Sequence, residues 1–219
     1  MDAQDRIATY RFLSIALQDP FLGACLPPLP RAEGPWIEAR SLWDGVDAET
    51  RASLFRSTFG HTAAGAYPPY ETHYGQPTVF EQTNVLADVA GFYRSFGLRI
   101  DSQRGEGADH VGPELEFAAW LLEKQRLATD EAKAEVSRDV LAAFVRDHLG
   151  KWGPAFGRLL ARNAPVEEYR AVGRLLDAFL AEERVLLGFP AVDSDRLPQP
   201  VPQLPIECGT LPCGGDEAE

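Results

Sequence analysis

Residues 106–122, Glu-Gly-Ala-Asp-His-Val-Gly-Pro-Glu-Leu-Glu-Phe-Ala-Ala-Trp-Leu-Leu, decide the architecture. An acidic, glycine-containing loop leads into a helix that is almost wholly apolar after its first turn. Gly112 is predicted as the helix cap and Pro113 as the first helical residue, because proline lacks the N–H that has no partner there anyway. Glu114 and Glu116 then fall in the first turn, where negative charge meets the positive end of the helix dipole. The run from Phe117 to Leu122 is apolar nearly all round, which predicts burial on several sides. Asp109 and His110 are thereby held at the rim of a core.

Outward from this stretch the same helical spacing recurs. Upstream, Thr78-Val-Phe-Glu81 reads as a capping box. It opens a helix whose buried face is Leu86, Val89, Ala90, Tyr93 and Phe96, and which Gly97 ends. Gly91 inside that helix costs about 1 kcal/mol relative to alanine, so another helix is expected to pack closely there. Earlier still, Asp2–Gln18 repeats Ile7, Tyr10, Leu13 and Leu17 at helical spacing and is stopped by Asp19-Pro20. Pro27, Pro28 and Pro30 make a loop, and Trp36–Trp43 a short helix. Asp47 caps a further helix with Leu54, Phe55 and Phe59 on its apolar face. Downstream, Glu131–Leu149 uses Val136, Val140 and Phe144, and Gly150 closes it. Pro154 is predicted to open the next helix, with Trp152 and Phe156 plugging the core. Pro165 introduces the last one, buried through Tyr169, Val172, Leu176, Phe179 and Leu180 and ended by Gly188.

No alternating strand pattern and no internal repeat interrupts this series. The fold expected is therefore all-α, a single compact domain over residues 1–188 of about eight helices. From Phe189 the composition changes. Six prolines between Pro190 and Pro212, then Gly-Gly-Asp-Glu-Ala-Glu, exclude a helix or a central strand. Residues 189–219 are expected to form an extended, acidic tail. Residues 67–76, Tyr-Pro-Pro-Tyr-Glu-Thr-His-Tyr-Gly-Gln, are too rich in proline and glycine for regular structure. Their tyrosines either pin the loop to the core or face a partner.

Composition narrows the function. With 219 residues the chain can bury one sizeable core, and its 45% hydrophobic and 25% charged residues are ordinary for a globular protein. A net charge of −12 disfavours nucleic acid and anionic membrane, which it repels; it attracts a basic peptide or simply keeps the protein in solution. No apolar run reaches the ~18 residues of a membrane span. The start, Met-Asp-Ala-Gln-Asp-Arg, lacks the basic and apolar regions of a secretory signal, so a cytoplasmic location is expected. Cys25, Cys208 and Cys213 form no disulfide framework; Cys208 and Cys213, separated by four residues, make no complete metal site and are read as free thiols of the tail, with a reversible disulfide as the alternative.

The titratable candidates are His61, His73, His110 and His148. His61 and His148 fall at helix ends, where a histidine favourably faces the negative terminus. Asp109 and His110 allow two readings. Asp109 can bond backbone N–H groups in a turn with His110 packed beside it. Alternatively, the pair could activate water as a metal-dependent helical hydrolase. The chain has no His-x-x-x-His, no phosphate-cradling glycine loop and no nucleophile elbow. A plain helical scaffold for some other partner is a third possibility.

The order of an acidic residue, a short spacer, Asp-His and then a Glu-Leu-x-Phe helix resembles the signature loop of the TorD/DmsD/NarJ family. The matching residues are Glu106, Asp109, His110, Glu114, Leu115 and Phe117. Tyr70-Glu71 with Tyr74-Gly75, the run Leu86–Leu98, and Phe144–Phe156 with its Trp152 and Pro154 are similar to the same family, closest to its NarJ-like branch. The resemblance implies a cytoplasmic, system-specific chaperone without catalytic residue, metal or cofactor of its own. Its partner would be the catalytic subunit of a molybdopterin-containing oxidoreductase of the DMSO reductase family. It would be bound through a twin-arginine leader or N-terminal segment until cofactor insertion, assembly or export, by a monomer or dimer. Such a leader carries arginines beside an apolar stretch, so Glu71, Glu106, Asp109 and Glu114 are expected to supply carboxylates. Tyr70, Phe117 and Trp120 would supply or border the greasy surface. His110 titrates near neutrality when unperturbed and could tune release. The family often has proline after the first glutamate. Gly107 stands there in this chain, which predicts a looser loop.

Overall fold

The computed structural model describes residues 1–20, 25–60, 65–75, 78–100, 106–190 and 197–200. Among them the chain forms, in order, α1 (Ala3–Ala16), α2 (Gly34–Trp43), α3 (Ala48–Phe59), a 3₁₀ turn (Glu71–His73), α4 (Val79–Ser95), α5 (Val111–Arg126), α6 (Glu131–Asp147), α7 (Leu149–Asn163) and α8 (Glu167–Leu186). The fold is all-α. His61, Cys208 and Cys213 lie outside the described residues.

α5 is the central helix: Leu115, Phe117, Ala118, Ala119, Leu121 and Leu122 are all buried, with α1 on one side and α6 on another. α7 and α8 form an antiparallel pair, and α2 crosses α8. Gly157 and Gly173 set the α7–α8 approach. A Cβ built on Gly173 would stand 2.5 Å from the Gly157 carbonyl oxygen, so only glycine lets these backbones touch. α1 is tied to α8 by Arg6, whose guanidinium donates to both oxygens of the fully buried Glu183 at 2.6 and 2.8 Å, with the Tyr10 hydroxyl adding a third donor at 2.9 Å. With a paired guanidinium and a third donor on the same carboxylate, this buried charge is tolerated.

Caps fall where the residue types require them. Asp2, Asp47, Thr78 and Asp130 each accept from a backbone N–H in the first turn of α1, α3, α4 and α6. At the end of α4, the N–H groups of Gly97 and Leu98 return to the carbonyls of Arg94 and Tyr93, a Schellman closure.

Several expectations need correction. α5 begins at Val111 with His110 as its cap, so Gly112 and Pro113 lie inside the first turn. α4 is buried at Val89 and Tyr93, whereas Leu86, expected on the same face, is exposed. A Cβ on Gly91 would meet no atom within 4 Å, so no described helix packs there. On α6 the buried residues are Ser137, Leu141, Phe144 and Val145, and Val136 points outward. α6 stops at Asp147 and α7 starts at Leu149, the break falling on His148 (φ −126°, ψ −99°). Pro154 therefore sits within α7. The Gly150 carbonyl, which proline leaves without its helical donor, accepts from Arg184 at 3.4 Å. The loop at residues 67–76 does contain regular structure, the single 3₁₀ turn at Glu71–His73.

Candidate functional site

The Asp-His loop is built into the fold by its backbone. The Val111 N–H donates to the Pro69 carbonyl and the Glu71 N–H to the Asp109 carbonyl, both at 2.9 Å, so Tyr70 and His110 form an antiparallel bridge. Asp109 is buried, and its Oδ2 accepts from the Thr72 hydroxyl at 2.6 Å and the Thr72 N–H at 3.2 Å, which caps the 3₁₀ turn. His110 is buried as well. Its Nδ1 accepts from the Gly112 N–H at 3.1 Å, and its ring meets the edge of Tyr70 at 5.0 Å. An Nδ1 that accepts a hydrogen bond is unprotonated, and burial pushes the His110 pKa down to about 3. The expected neutral-pH titration of His110 is therefore corrected, because the residue stays neutral. Nor is the loop left loose by Gly107. Its carbonyl accepts from the His110 N–H at 3.2 Å, the Tyr93 hydroxyl donates to the Ala108 carbonyl at 2.9 Å, and a Cβ on Gly107 would crowd Asp109 Oδ1 at 2.8 Å.

Behind the loop lies a second pair of acids. Glu114 is fully buried. Its Oε2 accepts from the Trp152 indole N–H at 3.1 Å, and its Oε1 has no hydrogen-bond partner. Burial and the nearby Glu71 charge push its pKa well above the carboxylate range, which favours the protonated form. Glu71, also buried, meets His148 Nδ1 at 3.0 and 3.2 Å. His148 Nε2 faces Asp88 at 3.3 Å. Burial opposes charge on His148, but the Glu71 bond and the charges of Glu71, Asp88 and Asp147 outweigh it and raise its pKa. The Glu71 pKa is raised by burial, with His148 pulling the other way.

The open surface beside this loop is a cleft of about 260 Å³ between the end of α4 and the start of α5. Leu98, Ile100, Phe117 and Trp120 provide its apolar lining, Glu106 and Glu116 its acidic groups, and Arg99 a basic one. Phe117 and Trp120 stack at 6.2 Å, and Phe96 meets Trp120 edge-on at 5.3 Å.

The structure thus divides the residues singled out in the sequence. Glu106, Phe117 and Trp120 share the cleft; Tyr70, Asp109 and His110 form the loop beside it; Glu71 and Glu114 are buried behind it. Three of the four carboxylates expected to meet a leader directly, Glu71, Asp109 and Glu114, are instead buried and bonded internally. Sequence reasoning missed Glu116, Leu98 and Ile100 as cleft residues. A signal was present: Pro113, Glu116, Phe117 and Trp120 recur at three- and four-residue spacing on one helix face. Among the described residues, no group of three or more His, Cys, Asp or Glu side chains is arranged to hold a metal ion, and no helix is long and apolar enough to cross a membrane.

Fold and site together define an all-helical protein with a closed core of internally bonded acids and histidines, and one aromatic cleft with an acidic rim beside its Asp-His loop. The chain belongs to the nitrate reductase delta subunit family, whose model matches residues 34–158, the same grouping as the TorD/DmsD/NarJ chaperones that the loop resembles. It is 34% identical over 110 residues to the selenate reductase assembly chaperone protein of Thauera selenatis, covering 48% of this chain and 57% of that protein. It is 30% identical over 105 residues to the chlorate reductase assembly chaperone protein of Ideonella dechloratans, covering 48% and 53%. To the chaperone protein TorD of Photobacterium profundum it is 28% identical over 128 residues, covering 58% and 59%. The matches therefore span less than two thirds of each relative.

Proposed function

We propose that this protein is a system-specific assembly chaperone, without catalytic activity of its own, for the catalytic subunit of a molybdopterin-containing oxidoreductase of the DMSO reductase family. It works in the cytoplasm and holds the subunit, through its leader or N-terminal segment, until the cofactor is inserted. Family membership and the names of the relatives support the class of client. The observation that carries the binding mode is the cleft, an apolar aromatic floor with Glu106 and Glu116 at hand. An arginine-bearing apolar segment needs that combination: a desolvated surface for its side chains and a charge-assisted acceptor for each guanidinium. A net charge of −12 adds long-range attraction for a basic segment.

On this reading Asp109 and His110 shape the site without touching the client. Asp109 holds the 3₁₀ turn, His110 starts α5, and together they set the cleft wall. The test is calorimetric titration of the metal-analysed protein with synthetic N-terminal peptides of candidate molybdoenzyme subunits. Micromolar or tighter binding that weakens on Trp120→Ala and Glu116→Gln is expected. Absence of binding to every such peptide, together with a stoichiometric metal lost on His110→Ala, would overturn the assignment.

A further inference from the structure

The loop before α4 is paired on two edges at once. One edge, at Tyr70, is bridged to His110. The other carries residues from far along the chain: the Gly75 N–H donates to the Gln199 carbonyl at 3.3 Å, and Tyr74, extended at φ −119° and ψ 134°, forms an antiparallel bridge with Pro200. A bond flanking the bridge in this way marks a pair that exchanges no N–H of its own, so a proline fits opposite Tyr74. Leu197 anchors the segment, only 8% exposed. The Gly75–Gln199 bond, the Tyr74–Pro200 bridge, Pro198 beside Gly75 and the burial of Leu197 hold residues 197–200 to the body. A cavity of about 370 Å³, lined by Thr72, Tyr74, Val85, Lys151, Trp152 and Pro198, continues beside the same edge.

We propose that Leu197–Pro200 is a displaceable strap, and that the Tyr74–Gly75 edge beneath it accepts an extended segment of the client polypeptide by strand addition. The proposal rests on the chaperone reading above. The strap displays the chemistry that the edge takes: an apolar anchor, a carbonyl for the Gly75 N–H, and no N–H required opposite Tyr74. The edge belongs to the loop that carries Tyr70 and Glu71, and the Tyr74 ring lies 5.2 Å from Trp152, whose indole holds Glu114 on α5. A segment added at Tyr74 therefore lies one side chain from the framework of the cleft. A second copy of this chain brings another −12 of charge and is repelled, whereas a basic client segment is attracted.

The full-length protein and its Leu197→Asp variant distinguish the outcomes, with Gln199→Ala as the control that keeps the backbone carbonyl. In the first arm, hydrogen exchange at the Gly75 amide should speed up about tenfold or more in Leu197→Asp and stay unchanged in Gln199→Ala. In the second, a synthetic peptide of residues 195–202 should bind Leu197→Asp about tenfold more tightly than it binds the unaltered protein. In the third, the N-terminal peptide of the catalytic subunit should gain affinity in the same variant. Equal Gly75 protection in all three proteins overturns the strap, and a concentration-dependent dimer of Leu197→Asp overturns it in favour of exchange between copies. A client peptide that binds the unaltered protein and Leu197→Asp equally overturns the competition. The first two arms contain no client, so the strap stands or falls independently of the client assignment.

Discussion

Glu71 and His148 lie 77 residues apart in the chain and meet in the core, Nδ1 to carboxylate oxygen at 3.0 Å. The contact fastens the 3₁₀ turn to the break between α6 and α7. It also places a titratable pair immediately behind the Asp-His loop.

This pair sets a pH dependence. His148 has a folded pKa above its unfolded value, so its contribution to stability is complete below about pH 6.5 and is lost as pH rises through the higher folded value. Urea titrations from pH 6 to 9 should show stability falling with pH in the unaltered protein and a flatter profile in His148→Gln. At pH 6 that variant should be less stable by about 2 kcal/mol, the worth of a hydrogen bond to a charged group.

Glu114 makes a complementary prediction. Its folded pKa is raised well above the unfolded value, so folding holds a proton that the unfolded chain releases, and stability falls as pH rises above about 4.5. Glu114→Gln keeps the shape and a carbonyl acceptor for Trp152 without the ionisation. It should be near neutral at pH 5 and gain on the unaltered protein at pH 8. Glu114→Ala, which strands the indole N–H, should lose about 2 kcal/mol at pH 5 and less at pH 8, because it too escapes the ionisation, read by the same denaturant curves.

His110 is a cap, and a neutral one. Replacing it by alanine should cost about 1 kcal/mol, with Asn restoring most of the loss. Between pH 6 and 8 the client affinity of the unaltered protein and of His110→Asn should follow the same pH profile, because a group with a pKa of about 3 does not change charge there. Divergent profiles by calorimetry would show His110 titrating in use.

In the cleft, Trp120→Ala should weaken client-peptide binding about tenfold or more, as truncation of a buried aromatic anchor does. Glu106→Gln and Glu116→Gln should each reduce the steepness with which added salt weakens binding, since each removes one charge facing the basic segment. Titrations at two ionic strengths separate these effects: a Trp120→Ala loss unchanged by salt, and glutamine variants with shallower salt dependence.

Much of the helical body was legible in the order of residues. Asp47 and Thr78 cap the helices expected of them, and Tyr169, Val172, Leu176, Phe179 and Leu180 are buried together on α8. The errors fall where a local signal was outweighed by a distant neighbour. Pro154 looked like a helix start, yet α7 already begins at Leu149, with Arg184 answering the carbonyl that proline leaves open. Gly91 looked like a packing contact, but it lies two residues from both Val89 and Tyr93, which turns it to the other face of α4, where a Cβ meets no atom within 4 Å.

Helix spacing, caps and stops act over a few residues, so the sequence by itself determined an all-α body and placed Asp109 and His110 at the entrance of its central helix. Which carboxylates meet solvent was decided only by the tertiary structure. Glu71 and Glu114 read like any first-turn or loop acids until His148 and Trp152, 77 and 38 residues away, close over them. Burial is a property of what packs against a group, and charge follows burial. Glu114 is therefore a core acid whose pKa is raised, while Glu106, in the same acidic stretch, lines the cleft.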